Sequence, residues 1–177
     1  MNKHTTSFIV MLLCAMPSIA DDAARAFDSH IGTWHTTLKV LKDPLTGSTT
    51  WLSYEGTTTV RPVLHGRANL AELEVAGEAG RIDGVSLRLY NPRSGQWTLN
   101  YANLANGMLT TPSIGGFDGG RGEFYSDEKI GGRDVRVRFV IEPQGPDVIR
   151  FEQAFSIDSG RTWEVNWIAT DTRVDAR

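Results

Sequence analysis

The sequence predicts an all-β protein: an antiparallel up-and-down β-barrel of about ten strands with a short N-terminal helix. Three observations lead there. Apolar and polar residues alternate with the two-residue period of a pleated strand along most of the chain. Gly, Pro, Asn and Asp cluster between these segments, and 18 glycines suit a fold with many turns. The chain also shows no long helix, linker or internal repeat. Its 177 residues fit one domain. The formal net charge is −3 with no block of like charge, which argues against nucleic acid as a partner.

Lys3 and His4 precede an apolar run from Phe8 to Met16, and small residues stand at Ser18 and Ala20. That order reads as a secretory signal peptide over residues 1–20, cut after Ala20, with a periplasmic or secreted domain over 21–177. The run is too short to span a bilayer, so no membrane association is expected once it is removed. A buried N-terminal strand is the alternative. The one cysteine, Cys14, leaves with the signal, which excludes disulfide and thiolate chemistry from the mature chain.

Ala23, Phe27 and Ile31 share one face of a short helix over Asp21–Ile31, started by Asp21 and Asp22 and ended by Gly32. Such a helix can close one mouth of a barrel. The first strand begins at Gly32-Thr33-Trp34, and Asp43–Gly47 is a turn. The second runs from Thr50 to Val60, with Arg61-Pro62 ending it or marking an edge. Ala68–Val75 is the third, Gly77–Gly84 a polar loop, and Val85–Tyr90 the fourth. Asn91–Gly95 turns the chain into a fifth strand holding Trp97, Leu99 and Tyr101. Asn106-Gly107 leads to a short sixth at Met108–Thr111. Pro112–Gly120 reads as a mobile loop or bulged edge at a barrel rim.

Arg121–Arg173 is a four-strand antiparallel meander. Val135, Val137, Phe139 and Ile141 share one face of its second strand; Phe151, Gln153 and Phe155 share one of its third. Trp163, Val165, Trp167 and Ala169 share a face of the last. So many short sequential strands need protected edges, which closure into a barrel provides. A two-sheet sandwich is the other architecture open to this pattern.

Gly32-Thr33-Trp34 after a short helix resembles the Gly-x-Trp opening of the calycin barrels, the lipocalin and fatty-acid-binding group. Gly56-Thr57, Tyr90-Asn91-Pro92, Gly122–Tyr125 and Phe151–Ser156 are similar to segments of uncharacterised secreted bacterial domains expected to form such barrels. The resemblance implies a barrel with Trp34 at its base beneath the ligand space. Members of that group mostly bind hydrophobic small molecules, and a few bind haem or catalyse isomerisation or cyclisation. No histidine follows His65, which argues against haem.

Two faces of the meander compete for the interior. One carries aromatics, and burying each of them is worth roughly 1.5–3 kcal/mol. With that face inward, the candidate ligand-binding residues are Trp34, Trp97, Phe139, Phe155, Trp163 and Trp167. The other face offers Glu123, Tyr125, Arg138, Glu152 and Asn166; turned inward, it makes a polar pocket. Catalytic candidates are then Glu123 or Glu152 as base and Arg138 or Tyr125 as oxyanion partner. His30, His35 and His65 lack metal-ligand spacing, and no cofactor is implied. The sequence therefore supports a secreted or periplasmic protein holding a small apolar or amphipathic molecule. A cofactor-free isomerase or cyclase with a carboxylate base is the alternative, and a solid-filled interaction domain a third reading. Either a monomer or a homodimer fits.

Overall fold

The alternating segments pair into one closed ring. The computed structural model describes residues 19–174. Its strands are β1 (Gly32–Leu41), β2 (Trp51–Val63), β3 (Ala68–Gly77), β4 (Gly80–Asn91), β5 (Gln96–Asn103), β6 (Met108–Leu109), β7 (Ser113–Asp118), β8 (Arg121–Ile130), β9 (Arg133–Gly145), β10 (Val148–Ser156) and β11 (Glu164–Arg173). All pairings are antiparallel, in the order β4-β3-β2-β1-β11-β10-β9-β8-β7-β5, and a β4–β5 ladder closes the barrel. β6 pairs only with β5, outside the ring. Closure leaves the ten ring strands no free edge.

Boundaries differ from the sequence reading in four places, each for a physical reason. Helix α1 covers Ile19–Ala24 and stops there; a 3-10 turn at Asp28–His30 replaces its expected continuation to Ile31. The chain bends so that Phe27 can enter the barrel end, where it is fully buried. The proposed signal peptide lies almost wholly outside the described residues, and α1 crosses its Ala20–Asp21 junction.

The expected Gly77–Gly84 loop is strand on both sides of a tight turn, with Gly77 paired to Gly80. Pro62 lies inside β2 and marks an edge there rather than ending the strand. Beyond Val60 the strand pairs only with β3, so Pro62 stands where a residue without an N–H is tolerated. The glycine-rich Pro112–Gly120 segment contains β7, a full barrel strand. A side chain at Gly115 would overlap the Glu123 carbonyl, so the close approach of β8 requires glycine there.

Inward-facing residues follow from the registers. Phe124 lies opposite Phe139, which lies opposite Gln153, which lies opposite Trp167. At that point β11 bulges. Gln153 pairs with Trp167 but Ala154 pairs with Val165, leaving Asn166 as the extra residue. Trp167 and Ala169 therefore point inward, while Val165 falls on the side of Ala154 and Arg138.

Phe27, Trp34, Val60, Trp97, Phe124, Ile141 and Ile149 fill one end of the barrel as a packed core. Phe27 sits edge-on to Trp97 and to Phe117, each at 4.9 Å between ring centres. The N-terminal segment is pinned by hydrogen bonds as well. Trp97 Nε1 donates to the Ala23 carbonyl and Trp34 Nε1 to that of His30, both at 2.8 Å. The Arg173 guanidinium donates to the Ser29 and Ile31 carbonyls and lies 4.1 Å above the Trp34 ring. The expectation that the N-terminal segment closes one barrel mouth describes what these contacts build.

Candidate ligand-binding site

Above this plug the barrel is hollow. A half-enclosed cavity of about 250 Å³ is walled by Leu73, Leu99, Phe139, Phe151, Trp167 and Ala169, with Thr36, Thr58, Ser86, Arg88, Gln153 and Asp171 among them. Tyr101, Thr110, Ser113 and Glu128 also line it. That volume lies just below the usual range for small-molecule sites, roughly 300–1,000 Å³, and polar side chains from several strands stand among its apolar walls.

The polar groups come from strands whose registers turn them inward. Asn69 of β3 faces Arg88 of β4, which faces Leu99 of β5. Arg88 is only 4% exposed. Its guanidinium lies 4.6 Å from the Phe27 ring and 5.8 Å from that of Phe151. Burial lowers its pKa to about 10, against the opposing pull of Asp171.

Asp171, 5% exposed, accepts a 2.6 Å hydrogen bond from Thr36 Oγ1, which also lies 2.6 Å from Thr58 Oγ1. Burial raises the Asp171 pKa to about 6, although the Thr36 bond and Arg88 both favour the carboxylate. The Tyr101 phenol is pushed up by burial. It sits near Asn103 without a hydrogen bond of good geometry.

Of the aromatics singled out from the sequence, Phe139 and Trp167 line the cavity. Trp34 and Trp97 are buried in the plug beneath it. Phe155 lies beyond the cavity, in a separate pocket of about 270 Å³ with Leu45, Trp163 and Glu164. Trp163 does not face inward. The Asn166 bulge reverses the alternation before Trp167. Asp158 meanwhile holds the preceding turn through the backbone N–H groups of Arg161 and Thr162. Trp163 thus packs on the outer wall, 6.3 Å from the Tyr125 ring and with Arg138 4.5 Å above it.

Glu123, Tyr125, Arg138 and Glu152 share this outer wall, and the polar-pocket arrangement is not inside the barrel. Tyr125 lies opposite Arg138, on the face opposite to Phe124 and Phe139. The Tyr125 hydroxyl donates to Glu123 at 2.7 Å, which holds the Glu123 carboxyl below its ordinary pKa. Arg121 adds a contact to Glu123 at 3.0 Å, and Glu152 meets Arg150 at 2.8 Å and Arg138 at 3.9 Å. Most of these contacts join residues two apart on one strand, Arg138–Glu152 crosses from β9 to β10, and both carboxylates already have partners.

The sequence reading missed Arg88 and Asp171. Alternation in β4 set Val85, Leu87 and Leu89 against Ser86, Arg88 and Tyr90, and the register turns the second set inward. Among the described residues, no group of three or more His, Asp or Glu side chains is placed to hold a metal ion.

No protein-family model matches the chain, and no curated protein matches it in sequence. Solved structures do match in shape. The S-type phycobiliprotein lyase CPES from Guillardia theta has a TM-score of 0.59 at 12% identity, over 91% of this chain and 100% of that one. EF1p2_mFAP2b bound to DFHBI gives 0.46 at 11% identity, over 86% and 99%. A de novo designed fluorescence-activating β-barrel gives 0.43 at 13%, over 86% and 98%. The similarity to CPES spans nearly the whole chain and bears on the fold alone. The protein is a closed antiparallel β-barrel that shares its overall fold with that structure and encloses a cavity of about 250 Å³.

Proposed function

We propose that this protein binds a small apolar or amphipathic molecule inside its barrel, after export to the periplasm or beyond. The observation that carries the reading is the cavity: a closed barrel, plugged at one end, whose interior is not filled. Its apolar walls suit the body of such a ligand, and the polar side chains among them suit a polar head.

Titration with the neutral dye N-phenyl-1-naphthylamine tests it. Dye emission should rise and tryptophan emission should fall, since Trp167 lines the cavity. Ala169→Phe should block binding by filling the site. Arg138→Ala, on the outer wall, should leave it unchanged while costing about 1 kcal/mol for the lost ring contact and weak ion pair. No dye binding by the parent protein, or equal binding by the Ala169→Phe variant, would refute the reading.

For the isomerase or cyclase alternative, the interior carboxylate on which a cation acts is Asp171, which lines the cavity together with Arg88, in place of Glu123 or Glu152.

Export rests on the order of residues 1–20, positive then apolar then small. Protein recovered from the periplasm or medium should begin at Asp21 on N-terminal sequencing. An intact Met1 there would overturn this part.

A further inference from the structure

Arg88 is the group whose hydrogen bonds the fold leaves incomplete. Its Nε and Nη1 are buried and have no hydrogen-bond partner among the described residues. Neither does Asn69 Oδ1, on the residue directly opposite. The Phe27 and Phe151 faces attract the cation but take no hydrogen bond of ordinary strength from it. A buried cation with free donors is costly unless something completes it. Asp171 does not do so directly: its carboxylate accepts from Thr36, and no hydrogen bond or ion pair joins it to Arg88 among the described residues. Arg88 lines the cavity, so a molecule bound there can supply the missing acceptor.

Resting on the small-molecule reading above, we propose that the ligand is an amphipathic acid: its oxyanion head accepts from Arg88 at the plugged end, its apolar body lies against Phe139, Phe151 and Trp167, and Asp171 takes up a proton from solvent as the head binds. The surroundings of Asp171 make it the group that responds. β1 offers it Thr36, β2 offers Thr58 through Thr36, and β10 offers Ile149; none of these titrates in the working range. Arg88 is the cation that acts on it from β4. Arg173, two residues along β11, is engaged by Asp147, Ser29 and Ile31. His30, in the plug, stays neutral because burial lowers its pKa to about 3. Glu128 lines the same cavity from β8. Asp171 titrates near 6 before any ligand arrives. A second negative charge in the cavity raises that value further, so acid binding carries proton uptake and weakens as pH rises.

Decanol, decanoate and decyl sulfate share one chain length and differ in head group. Tryptophan fluorescence titrations of the full chain with each, at about pH 5.5 and about pH 8, test the proposal. At the lower pH at least one acid should bind roughly tenfold or more tighter than decanol, the scale of a charge-assisted hydrogen bond. Decanoate against decyl sulfate tells a planar head from a tetrahedral one. The preference should shrink severalfold at the higher pH. Arg88→Met should abolish it while decanol still binds. Asp171→Asn should keep it and remove its pH dependence, a readout that survives if Arg88→Met does not fold. Decanol binding as tightly as both acids, or an acid preference unchanged in Arg88→Met, overturns the inference and leaves the binding reading intact. A preference equal at both pH values overturns the proton coupling. Failure of all three probes overturns the inference; if the neutral dye fails to bind as well, the binding reading falls with it.

Discussion

Trp34→Ala should cost about 4 kcal/mol of stability, near the middle of the 3–5 kcal/mol expected for removing a buried tryptophan. Trp34 is 1% exposed and belongs to the cluster that plugs the barrel. Its ring is the surface on which Arg173 lies, and its Nε1 ties the barrel wall to the His30 carbonyl. The substitution therefore opens a cavity, leaves a carbonyl without its donor and loosens the N-terminal segment together. A domain of this size has about 5–15 kcal/mol in total, so the variant should be close to unfolding. Urea denaturation should show a lower midpoint at similar slope. Trp34→Phe keeps much of the ring and loses the donor, so its cost should be about 1–2 kcal/mol. A loss below about 1 kcal/mol in Trp34→Ala would mean that Trp34 does not anchor the plug.

Strand positions could be read from the sequence because alternation and turn residues are local properties. Gly32 to Leu41 and the four segments after Arg121 follow directly from them. Glycine made β7 hard to see. Gly115 and Gly116 look like loop residues, and only the approach of the Glu123 backbone shows why one of them must lack a side chain. The inward face of a strand depends on its partners, so alternation alone could not assign it. That is how Arg88, on the more polar side of β4, escaped notice while Phe139 and Trp167 did not. Trp163 shows a further limit: a single bulged residue, Asn166, reversed the face that period two assigned to it.

The pH dependence of stability should separate two buried groups that oppose one another. Asp171 has its pKa raised by burial to about 6, above the value of about 3.9 in an unfolded chain. The native state therefore binds the extra proton. The resulting stability is fully present below about pH 4 and is lost as pH rises through about 6, a change of about 3 kcal/mol. His30 behaves in the opposite sense. Burial, with Arg88 and Arg173 adding to it, lowers its pKa to about 3 from 6.5. Its contribution is present above about pH 6.5 and falls as the medium is acidified toward pH 3. Between about pH 4 and 6 the two slopes cancel in the parent protein. Asp171→Asn keeps an acceptor for Thr36 but does not titrate. Its stability should fall by about 3 kcal/mol from pH 7 to pH 4 relative to the parent, because the His30 slope is no longer offset. His30→Phe should show the reverse, gaining on the parent over the same range. Denaturant midpoints across that range measure both differences. Parallel pH profiles for the parent and Asp171→Asn would mean that Asp171 is ionised in the cavity as readily as in water. The carboxylate could not then serve as the proton acceptor that couples to an acid bound at Arg88.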